Sequence, residues 1–356
     1  MKAHGISGKV LTWIGNWLKD RKQRTKLNDS FSKWDDVISG VPQGSILGPL
    51  AFLIYINDID DETALISIIK KFADDTKVGN TINAPEDAQC LQTTLNRLVD
   101  WSNKWGMQFN FAKCKVLHLG RTNPRYDYTM GGTQVAKTEE EKDIRVLVHD
   151  SLRPSRQCEA AARRANCILT QISKSFHYRT RKGFLKLYIQ YVRPHLEFSV
   201  QAWCPWTARD TQELERVQKR AVSMISGLRG TNYEEKLKEL GLESLEDRRT
   251  KLDLVQTYKI LHGFDKVDSK VWFTTYGETQ NRLTRASNFP LNLVRSRVSR
   301  LEVRQNFFSQ RVIGLWNSLP VDVKNSKTVN TFKSNYDIFK GTSSGSRDQS
   351  TPGTRG

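Results

Sequence analysis

The sequence has few cysteines and no long apolar run. Its five cysteines form no CxxC pair and no Cys/His set at zinc-finger spacing: Cys90, Cys114, Cys158, Cys167 and Cys204. No segment approaches the ~20 apolar residues of a membrane span, and the opening MKAHGISGKVLTWIGNWLKDRKQR lacks an apolar core of signal-peptide length. These absences predict an intracellular protein with reduced thiols, nuclear or cytoplasmic, that is neither secreted nor bound to a membrane.

Acidic residues are also scarce, since 56 Lys and Arg stand against 38 Asp and Glu and give a formal net charge of +18. The excess is clustered. Residues 1–33 hold eight basic residues against two acidic ones, residues 151–183 hold eight against one, and residues 281–311 hold seven Arg and one Glu. This charge favours a polyanionic partner, with nucleic acid ahead of a membrane surface. The alternative is a solvated basic surface without a partner.

The segment that follows SGVPQGSILGP (39–49) contains three predicted elements. LAFLIYINDI is apolar nearly all round, which predicts a buried helix, although its length leaves a strand possible. Residues 64–80 are typical of a β-hairpin with two adjacent aspartates at its tip. Residues 86–105 have the period of an amphipathic helix between Pro85 and Gly106.

Strands are predicted next, at 107–120 and within YDYTMGGTQV and DIRVLVH, and the first domain is expected to end near residue 150. Beyond it the apolar period changes to about 3.6, which predicts a helical domain. Its helices are expected at residues 157–172, 183–196, 211–228 and 244–263. Residues 264–340 are less periodic and Arg-rich, and the Gly/Ser/Thr tail 341–356 is expected to be disordered.

Asp74 and Asp75 are the acidic pair at the tip of the hairpin. Adjacent carboxylates on a tight turn repel each other unless a cation lies near them, and oxygen ligands in a basic surround suit Mg²⁺ shared with substrate phosphates. The alternative, which is favoured for an Asp-Asp pair taken alone, is that both residues form the turn and cap their own backbone.

Several motifs resemble those of one enzyme family. SGVPQGSILGPLAFLIYINDI, FADD and NKWGMQFNFAKCKVLHLG resemble three successive motifs of the reverse transcriptases of non-LTR retrotransposons. RKGFLKLYIQYVRPHLEFSVQAWCPW, LERVQKRAVSMISGL and RVIGLWNSLP look like the region after the polymerase core in jockey-like LINE elements. The likeness covers nearly the whole chain up to residue 340.

The resemblance implies an α+β fold in which a partial polymerase palm precedes a mostly helical, thumb-like domain. The palm would consist of a β-hairpin and helices on a small sheet and would occupy residues 1–150. The thumb-like domain would follow at 151–263 and a basic C-terminal extension at 264–340.

Roles for particular residues follow from the same resemblance. Asp74 and Asp75 would hold Mg²⁺, or Mn²⁺, while Lys113 would lie near the triphosphate and neutralise or protonate the departing pyrophosphate. The remaining site residues would bind the substrates or shape their pocket: Gly40, Pro42, Gln43 and Gly44 in the loop beside nucleotide and template, Phe72 and Ala73 beneath the primer end, and Asn110 in the turn that carries Lys113. The partners implied are an RNA template, a DNA primer and deoxynucleoside triphosphates.

The resemblance also implies a further catalytic aspartate and a fingers region upstream of the segment with which this chain begins. The acids near that start do not resemble the missing motif: Asp20, Asp29, Asp35 and Asp36. We therefore expect the isolated chain to be nearly inactive, because each lost catalytic contact costs on the order of a hundredfold in rate. Arg145 also departs from the family, which tends to have glycine there.

Two other interpretations stay open. The chain could be a non-catalytic nucleic-acid-binding relic, an idea that the basic and aromatic segment SKSFHYRTRKGF (173–184) supports if its aromatic residues are exposed rather than packed. It could also be an unstable pseudogene product without a selected role.

Overall fold

The computed structural model describes residues 1–63, 68–176, 180–225, 227–228, 230–278, 290–295 and 301–345. These residues form two units, Met1–Thr138 and Glu139–Gly356. In the described part of the chain every sheet has two strands, so the fold is a mixture of helices and small sheets, as the α+β prediction requires.

In addition to a short 3-10 helix at Lys2–His4, the first unit combines four helical segments with five strand pairings. Its elements are α1 (Gly8–Leu18), β1 (Lys22–Gln23), β2 (Lys26–Leu27), β3 (Ser30–Phe31), β4 (Asp35–Asp36), α2 (Leu47–Tyr55), a 3-10 helix (Asn57–Thr63), β5 (Ile68–Phe72), β6 (Asp75–Gly79), α3 (Pro85–Trp105), β7 (Lys115–Leu117), β8 (Thr129–Met130), β9 (Thr133–Gln134) and β10 (Ala136–Thr138). Strands β1 and β4, β2 and β3, β5 and β6, and β8 and β9 pair antiparallel, whereas β7 and β10 pair parallel.

Helix α3 organises the core of this unit and confirms the helix predicted at 86–105. The Asp87 carboxylate accepts hydrogen bonds from the backbone N–H groups of Asn83 and Ala84 at 2.8 and 2.9 Å, which satisfies donors at the helix start and lowers the pKa of Asp87. Gly106 ends the helix in the left-handed conformation. The helix face that includes Leu95 and Leu98 packs in a core with parts of the 3-10 helix and of the β8–β9 hairpin.

Two predictions in this unit need correction. The segment after residue 49 is helical, but it is not buried all round, because Leu50 and Leu53 are each about half exposed. Residues 107–120 form a strand only at Lys115–Leu117. A hydrogen-bonded turn, in which the Lys113 N–H donates to the Asn110 carbonyl at 3.0 Å, interrupts the extended chain before it.

The second unit begins with a hairpin and continues as helices. Its elements are β11 (Glu140–Asp143), β12 (Val146–His149), α4 (Ser155–Ser175), α5 (Arg181–Leu187), a π-helical turn (Tyr188–Val192), α6 (Arg193–Glu197), α7 (Val200–Trp203), α8 (Ala208–Ser223), α9 (Tyr233–Leu240), α10 (Leu245–Leu261), α11 (Ser269–Trp272), α12 (Glu302–Gln305), α13 (Phe308–Asn317), α14 (Val321–Lys324) and α15 (Val329–Gly345).

The β11–β12 hairpin belongs with the helices rather than with the first unit. Val146 packs in their core, and the Leu147 N–H donates to the Gln157 side chain of α4 at 2.8 Å. Ile144 and Arg145 form its turn with φ of 44° and 69°. The tight bend therefore forms with arginine at the position where glycine was expected.

Most of the predicted helices are present with shifted ends. The helix predicted at 183–196 is divided by the π-helical turn, the helix predicted at 211–228 ends at Ser223, and α9 was not predicted. Residues 177–179 of the basic and aromatic segment lie outside the described residues, whereas Phe184 is buried in the core as the packing alternative expected.

Residues after 264, which are less periodic in sequence, nevertheless contribute to a second core. It joins α10 to α13 and α15, with Trp316, Phe332 and Tyr258 fully or almost fully buried. Lys251 of α10 also pairs with Asp337 of α15 at 2.5 Å. Because this helix continues to Gly345, the first residues of the predicted disordered tail are helical, and the remainder of that tail lies outside the described residues.

Candidate active site

The two aspartates lie on a tight hairpin, as predicted. Strand β5 pairs with β6 in the register Phe72↔Asp75, so Ala73 and Asp74 form the two-residue turn and Asp75 begins the second strand. Ala73 has φ of 51°, a left-handed conformation that glycine usually provides at the first position of such a turn. The predicted hairpin is confirmed for residues 68–79, and residues 64–67 lie outside the described part of the chain.

The hairpin has one exposed and one half-buried face. Since side chains alternate along a strand, Phe72 and Asp75 share the exposed face with the opposed lysines Lys70 and Lys77. Val78 lies on the other face and packs against the core of the first unit. The Asp75 carboxylate is therefore accessible and has positive charge on the same face.

Lys71 fastens the half-buried face to the chain that follows α2. Its Nζ lies 2.9 Å from the Asp60 carboxylate and donates to the backbone carbonyls of Asn57 at 3.2 Å and Ile56 at 3.5 Å. Asp58 accepts a hydrogen bond from the Trp101 indole at 3.1 Å. Sequence reasoning missed this anchor, although a lysine on the same strand face as Ile69 was the available signal.

The SGVPQG loop is held from both ends. Gly40 and Gly44 both have φ of 79°, so the backbone path requires glycine at each position. The Arg21 guanidinium donates to the Gly40 carbonyl at 2.6 Å. The Ser45 hydroxyl donates to the Pro42 carbonyl at 2.7 Å and accepts from the Gly48 N–H at 2.9 Å. Sequence reasoning named the glycines but missed Arg21 and Ser45.

Gly48, in the first turn of α2, allows that turn to pack directly against the loop. A Cβ at that position would lie 2.8 Å from both the Pro42 carbonyl oxygen and the Ser45 hydroxyl, which is too close for any side chain. Gln43 is exposed at the outer edge of the loop. The loop therefore presents backbone and one amide side chain to solvent, as a surface for a polar ligand requires.

Asn110 and Lys113 lie together in the turn before β7. The Lys113 N–H donates to the Asn110 carbonyl, which also accepts a contact from the Cys114 thiol at 3.5 Å. Both side chains are exposed. Burial raises the pKa of the Cys114 thiol. The turn thus projects the Lys113 ammonium into solvent.

The predicted site residues form three local groups within the first unit: the hairpin tip, the loop around residues 40–44, and the Asn110–Lys113 turn. Among the residues that the structure describes, no hydrogen bond or ion pair joins one group to another, and no three His, Cys, Asp or Glu side chains come together as a metal site. The hairpin supplies two carboxylates. No helix among the described residues is long and apolar enough to cross a membrane.

Comparison with known proteins identifies the family to which this sequence belongs. The sequence profile described as "Reverse transcriptase (RNA-dependent DNA polymerase)" matches residues 1–178. The chain belongs to the reverse transcriptase family. The matched segment includes all three groups of predicted site residues.

Curated relatives narrow this reverse transcriptase to the non-LTR type. The chain is 24% identical over 235 residues to the RNA-directed DNA polymerase from mobile element jockey of Drosophila funebris, which covers 62% of this chain and 25% of that protein. It is 23% identical over 226 residues to the probable RNA-directed DNA polymerase from transposon X-element of Drosophila melanogaster, covering 60% and 24%.

A third relative extends the match slightly. The probable RNA-directed DNA polymerase from transposon BS of Drosophila melanogaster is 22% identical over 252 residues, which covers 66% of this chain and 28% of that protein. The reverse transcriptase chain spans about a quarter of the length of the curated relatives that it matches. No solved structure matches it. The family and its non-LTR type, as the sequence motifs suggested, are confirmed.

Proposed function

We propose that this chain provides part of the palm of an RNA-directed DNA polymerase, with the hairpin tip as its metal-binding centre, a helical thumb at residues 151–263 and a basic C-terminal extension at residues 264–340. The observation that carries the proposal is the exposed pair of adjacent carboxylates, Asp74 and Asp75, on a strained two-residue turn. Such strain is tolerated where the position of a side chain matters for function.

The donor set at the tip fits Mg²⁺ or Mn²⁺. Both ligands are carboxylate oxygens, and neither carboxylate lies within salt-bridge distance of a cation among the described residues. Mg²⁺ is commonly held by one or two carboxylates together with water and substrate phosphates, so two protein ligands suffice for binding in the presence of a nucleotide. When bound there, the metal would neutralise charge that develops on the reacting phosphate.

The reaction would extend a DNA primer along an RNA template. The primer 3′-hydroxyl gives up its proton to solvent as its oxygen forms a bond to the α-phosphorus of a deoxynucleoside triphosphate, and the bond from that phosphorus to the departing pyrophosphate breaks. Lys113 would neutralise or protonate that pyrophosphate. Lys70 and Lys77, which share the exposed face with Asp75, would attract the phosphates to the same side of the hairpin.

The other predicted residues would position the substrates. Gly40 and Gly44 would let the backbone approach the bases closely, with Pro42 and Gln43 between them. Phe72 and Ala73 would shape the turn beneath the primer end, and Asn110 would order the turn that carries Lys113. These roles come from the family resemblance, and the exposure of every position except the half-buried Pro42 supports them.

The experiment is primer extension on poly(rA) with oligo(dT) and either Mg²⁺ or Mn²⁺. Because two carboxylates alone hold a metal weakly, we expect slow extension by the native chain. The isosteric variant Asp74→Asn should lower that rate by roughly a hundredfold or more. Asp322→Asn is the charge-matched control, since Asp322 is exposed on α14 in the other unit, and it should leave the rate within about twofold. Equal extension by the Asp74→Asn and native chains would refute the assignment.

A second candidate is nucleic-acid binding without chemistry. The observation in its favour is that, in the described residues, only two acidic side chains meet at the tip while the chain carries a net charge of +18. It predicts RNA binding that weakens steeply with salt, together with no extension by the native chain under any metal.

A further inference from the structure

Residues 21–37, here called the ribbon, form an antiparallel strand pair that ends in the SGVPQG loop. Near its base Lys22 pairs with Asp36, and nearer its tip Lys26 pairs with Phe31. Between these two stretches the register changes, so that Lys33 and Trp34 together lie opposite the single residue Arg24. This is a β-bulge, a feature that re-aims side chains and is retained where their direction matters.

The bulge brings two aromatic rings to one cation. Phe31 and Trp34 are three positions apart and would point to opposite faces of a regular strand. With the additional residue between them, the Arg24 guanidinium carbon lies 4.0 Å from the Phe31 ring centroid and 4.6 Å from the Trp34 ring centroid. Lys26 Nζ lies 5.4 Å from the Phe31 centroid. We call Arg24, Phe31 and Trp34 the ribbon stack.

The ribbon stack is open to solvent. Phe31 is 51% and Trp34 58% exposed, and in the part of the chain that the structure describes no carboxylate lies within salt-bridge distance of Arg24 or Lys26. Exposing two large rings beside two uncompensated cations is unfavourable for a surface without a partner. A ligand that stabilises all of them must offer both flat apolar faces and negative charge.

We propose that the ribbon stack binds an unpaired stretch of nucleic acid, with bases stacked on Phe31, Trp34 and the Arg24 guanidinium plane and with phosphates near Arg24 and Lys26. Aromatic rings interleaved with basic side chains are the usual means of holding single strands. An apolar protein surface would cover the rings but would desolvate the cations. A duplex would present phosphates but keep its bases stacked inside.

The position of the ribbon suggests which strand it holds. At the ribbon base the Arg21 backbone carbonyl accepts a hydrogen bond from the Val37 N–H at 2.8 Å, and the Arg21 guanidinium donates to the Gly40 carbonyl at 2.6 Å, so the ribbon is fastened directly to the loop. The inference rests on the proposed function here, because that function places the template beside this loop. The ribbon would then hold unpaired template close to the point of copying.

The test compares binding of three short oligonucleotides to the full chain in EDTA, measured by fluorescence anisotropy: a single strand, the same strand with abasic sugars, and a duplex. RNA and DNA versions of the single strand show which of the two nucleic acids the chain binds more tightly. Trp34→Leu removes a ring from the ribbon stack. Trp13→Leu is the matched control, because Trp13 is 55% exposed on α1 and stacks on Trp17 rather than on a cation.

We expect Trp34→Leu to weaken binding of the base-bearing strand about tenfold and to leave binding of the abasic strand and the duplex within about twofold. Trp34→Phe should restore most of the loss, and Trp13→Leu should bind all three as the native chain does. Equal binding of base-bearing and abasic strands by the native chain would overturn the inference. So would a uniform loss in Trp34→Leu that Trp34→Phe does not restore.

These outcomes are separate from those for the proposed function, because the binding assay contains neither metal nor nucleotide. Asp74-dependent primer extension without base-dependent binding would refute the role of the ribbon stack and leave the polymerase proposal intact. Base-dependent binding by a chain that cannot extend a primer would support the ribbon stack as a binding site and refute the polymerase proposal.

Discussion

The ion pair between Asp253 of α10 and Arg311 of α13 gives the sharpest prediction about stability. Arg311 donates from Nε and Nη2 to the two carboxylate oxygens at 2.8 and 3.0 Å, and the Asp253 side chain is only 4% exposed. Arg311 also donates to the backbone carbonyls of Asn306 at 3.0 Å and Gln201 at 3.2 Å. One guanidinium thus satisfies polar groups from three segments of the second unit.

Replacing Arg311 by Met should lower the free energy of unfolding by about 3–5 kcal/mol, because it leaves a buried carboxylate without its partner. In the double variant Asp253→Leu with Arg311→Met that carboxylate is absent. The backbone carbonyls of Asn306, Gln201 and Val200, to which Arg311 donates, still lose their donor, at a cost of about 1–3 kcal/mol. The double variant should therefore be more stable than Arg311→Met alone by roughly 2 kcal/mol.

The pH dependence provides a second check. Burial raises the pKa of Asp253 above its ordinary value of 3.8, although Arg311 opposes the shift. A carboxyl whose pKa is higher in the folded state stabilises the fold most at low pH, and this contribution declines as the pH rises through the folded pKa. Without Arg311 the pKa rises further, so the deficit of Arg311→Met should be full near neutral pH and should shrink on acidification.

Urea denaturation of the native chain and of both variants, followed by far-UV circular dichroism at about pH 7.5 and about pH 5, measures these quantities. The reasoning fails if Arg311→Met costs less than about 1 kcal/mol, or if the double variant is no more stable than the single one. A deficit that is the same at both pH values would also contradict it.

Three glycine-related positions in the first unit give further predictions, all measured as changes in the urea midpoint. Ala73→Gly should leave stability unchanged or raise it by up to about 1 kcal/mol, since Ala73 has φ of 51°, whereas Ala73→Val should lower it. Gly131→Ala should be strongly destabilising, because its Cβ would lie 2.7 Å from the Phe111 ring and its φ is 56°. Gly132→Ala, with φ of 76° and open space around the Cβ, should cost only about 1 kcal/mol; equal losses at the two glycines would exclude the Phe111 contact as the cause.

Local signals predicted the elements whose formation depends on near neighbours in the chain. Helix α3 has a proline at its start, an acidic residue that accepts from the preceding backbone N–H groups, and a glycine after its end. The β5–β6 hairpin has β-branched residues on both sides of a polar turn. The limits of both elements could be predicted from sequence because each element completes its own backbone hydrogen bonds.

Elements that depend on distant partners were not predictable in the same way. The strand at Lys115–Leu117 pairs in parallel with Ala136–Thr138, a partner that lies beyond another hairpin, so its limits could not be read from its own pattern. The second core joins α10 to helices about 60 residues later in the chain. The apolar period of residues 264–340 is weak because α11, α12 and α14 have only four residues each, and the burial of α13 and α15 comes from their packing against α10.

The supporting contacts of the candidate site follow the same logic. Asp74 and Asp75 are recognisable as a motif, but Arg21 and Lys71 are ordinary residues whose roles exist only through carbonyls and a carboxylate that other segments supply. Ser45 bonds only within its own loop, so its contacts are local but carry no motif of their own. A hairpin of two strands is marginally stable by itself in water. The Lys71 bonds and the packed Val78 side chain therefore decide where the carboxylates point.

The hairpin breaks local rules at the positions that the proposed chemistry needs. Ala73 occupies a conformation suited to glycine, Phe72 is largely exposed, and Lys70 lies opposite Lys77 despite their equal charge. Each feature disfavours the isolated hairpin. The exposed Phe72 ring and the two opposed lysines become favourable if phosphates and a nucleic acid strand lie against the exposed face. Because a ligand that binds only the folded state stabilises it, this face should be more ordered with template, primer and nucleotide than without them. The conflict between local preference and observed structure is thus itself an argument for a polyanionic substrate at the tip.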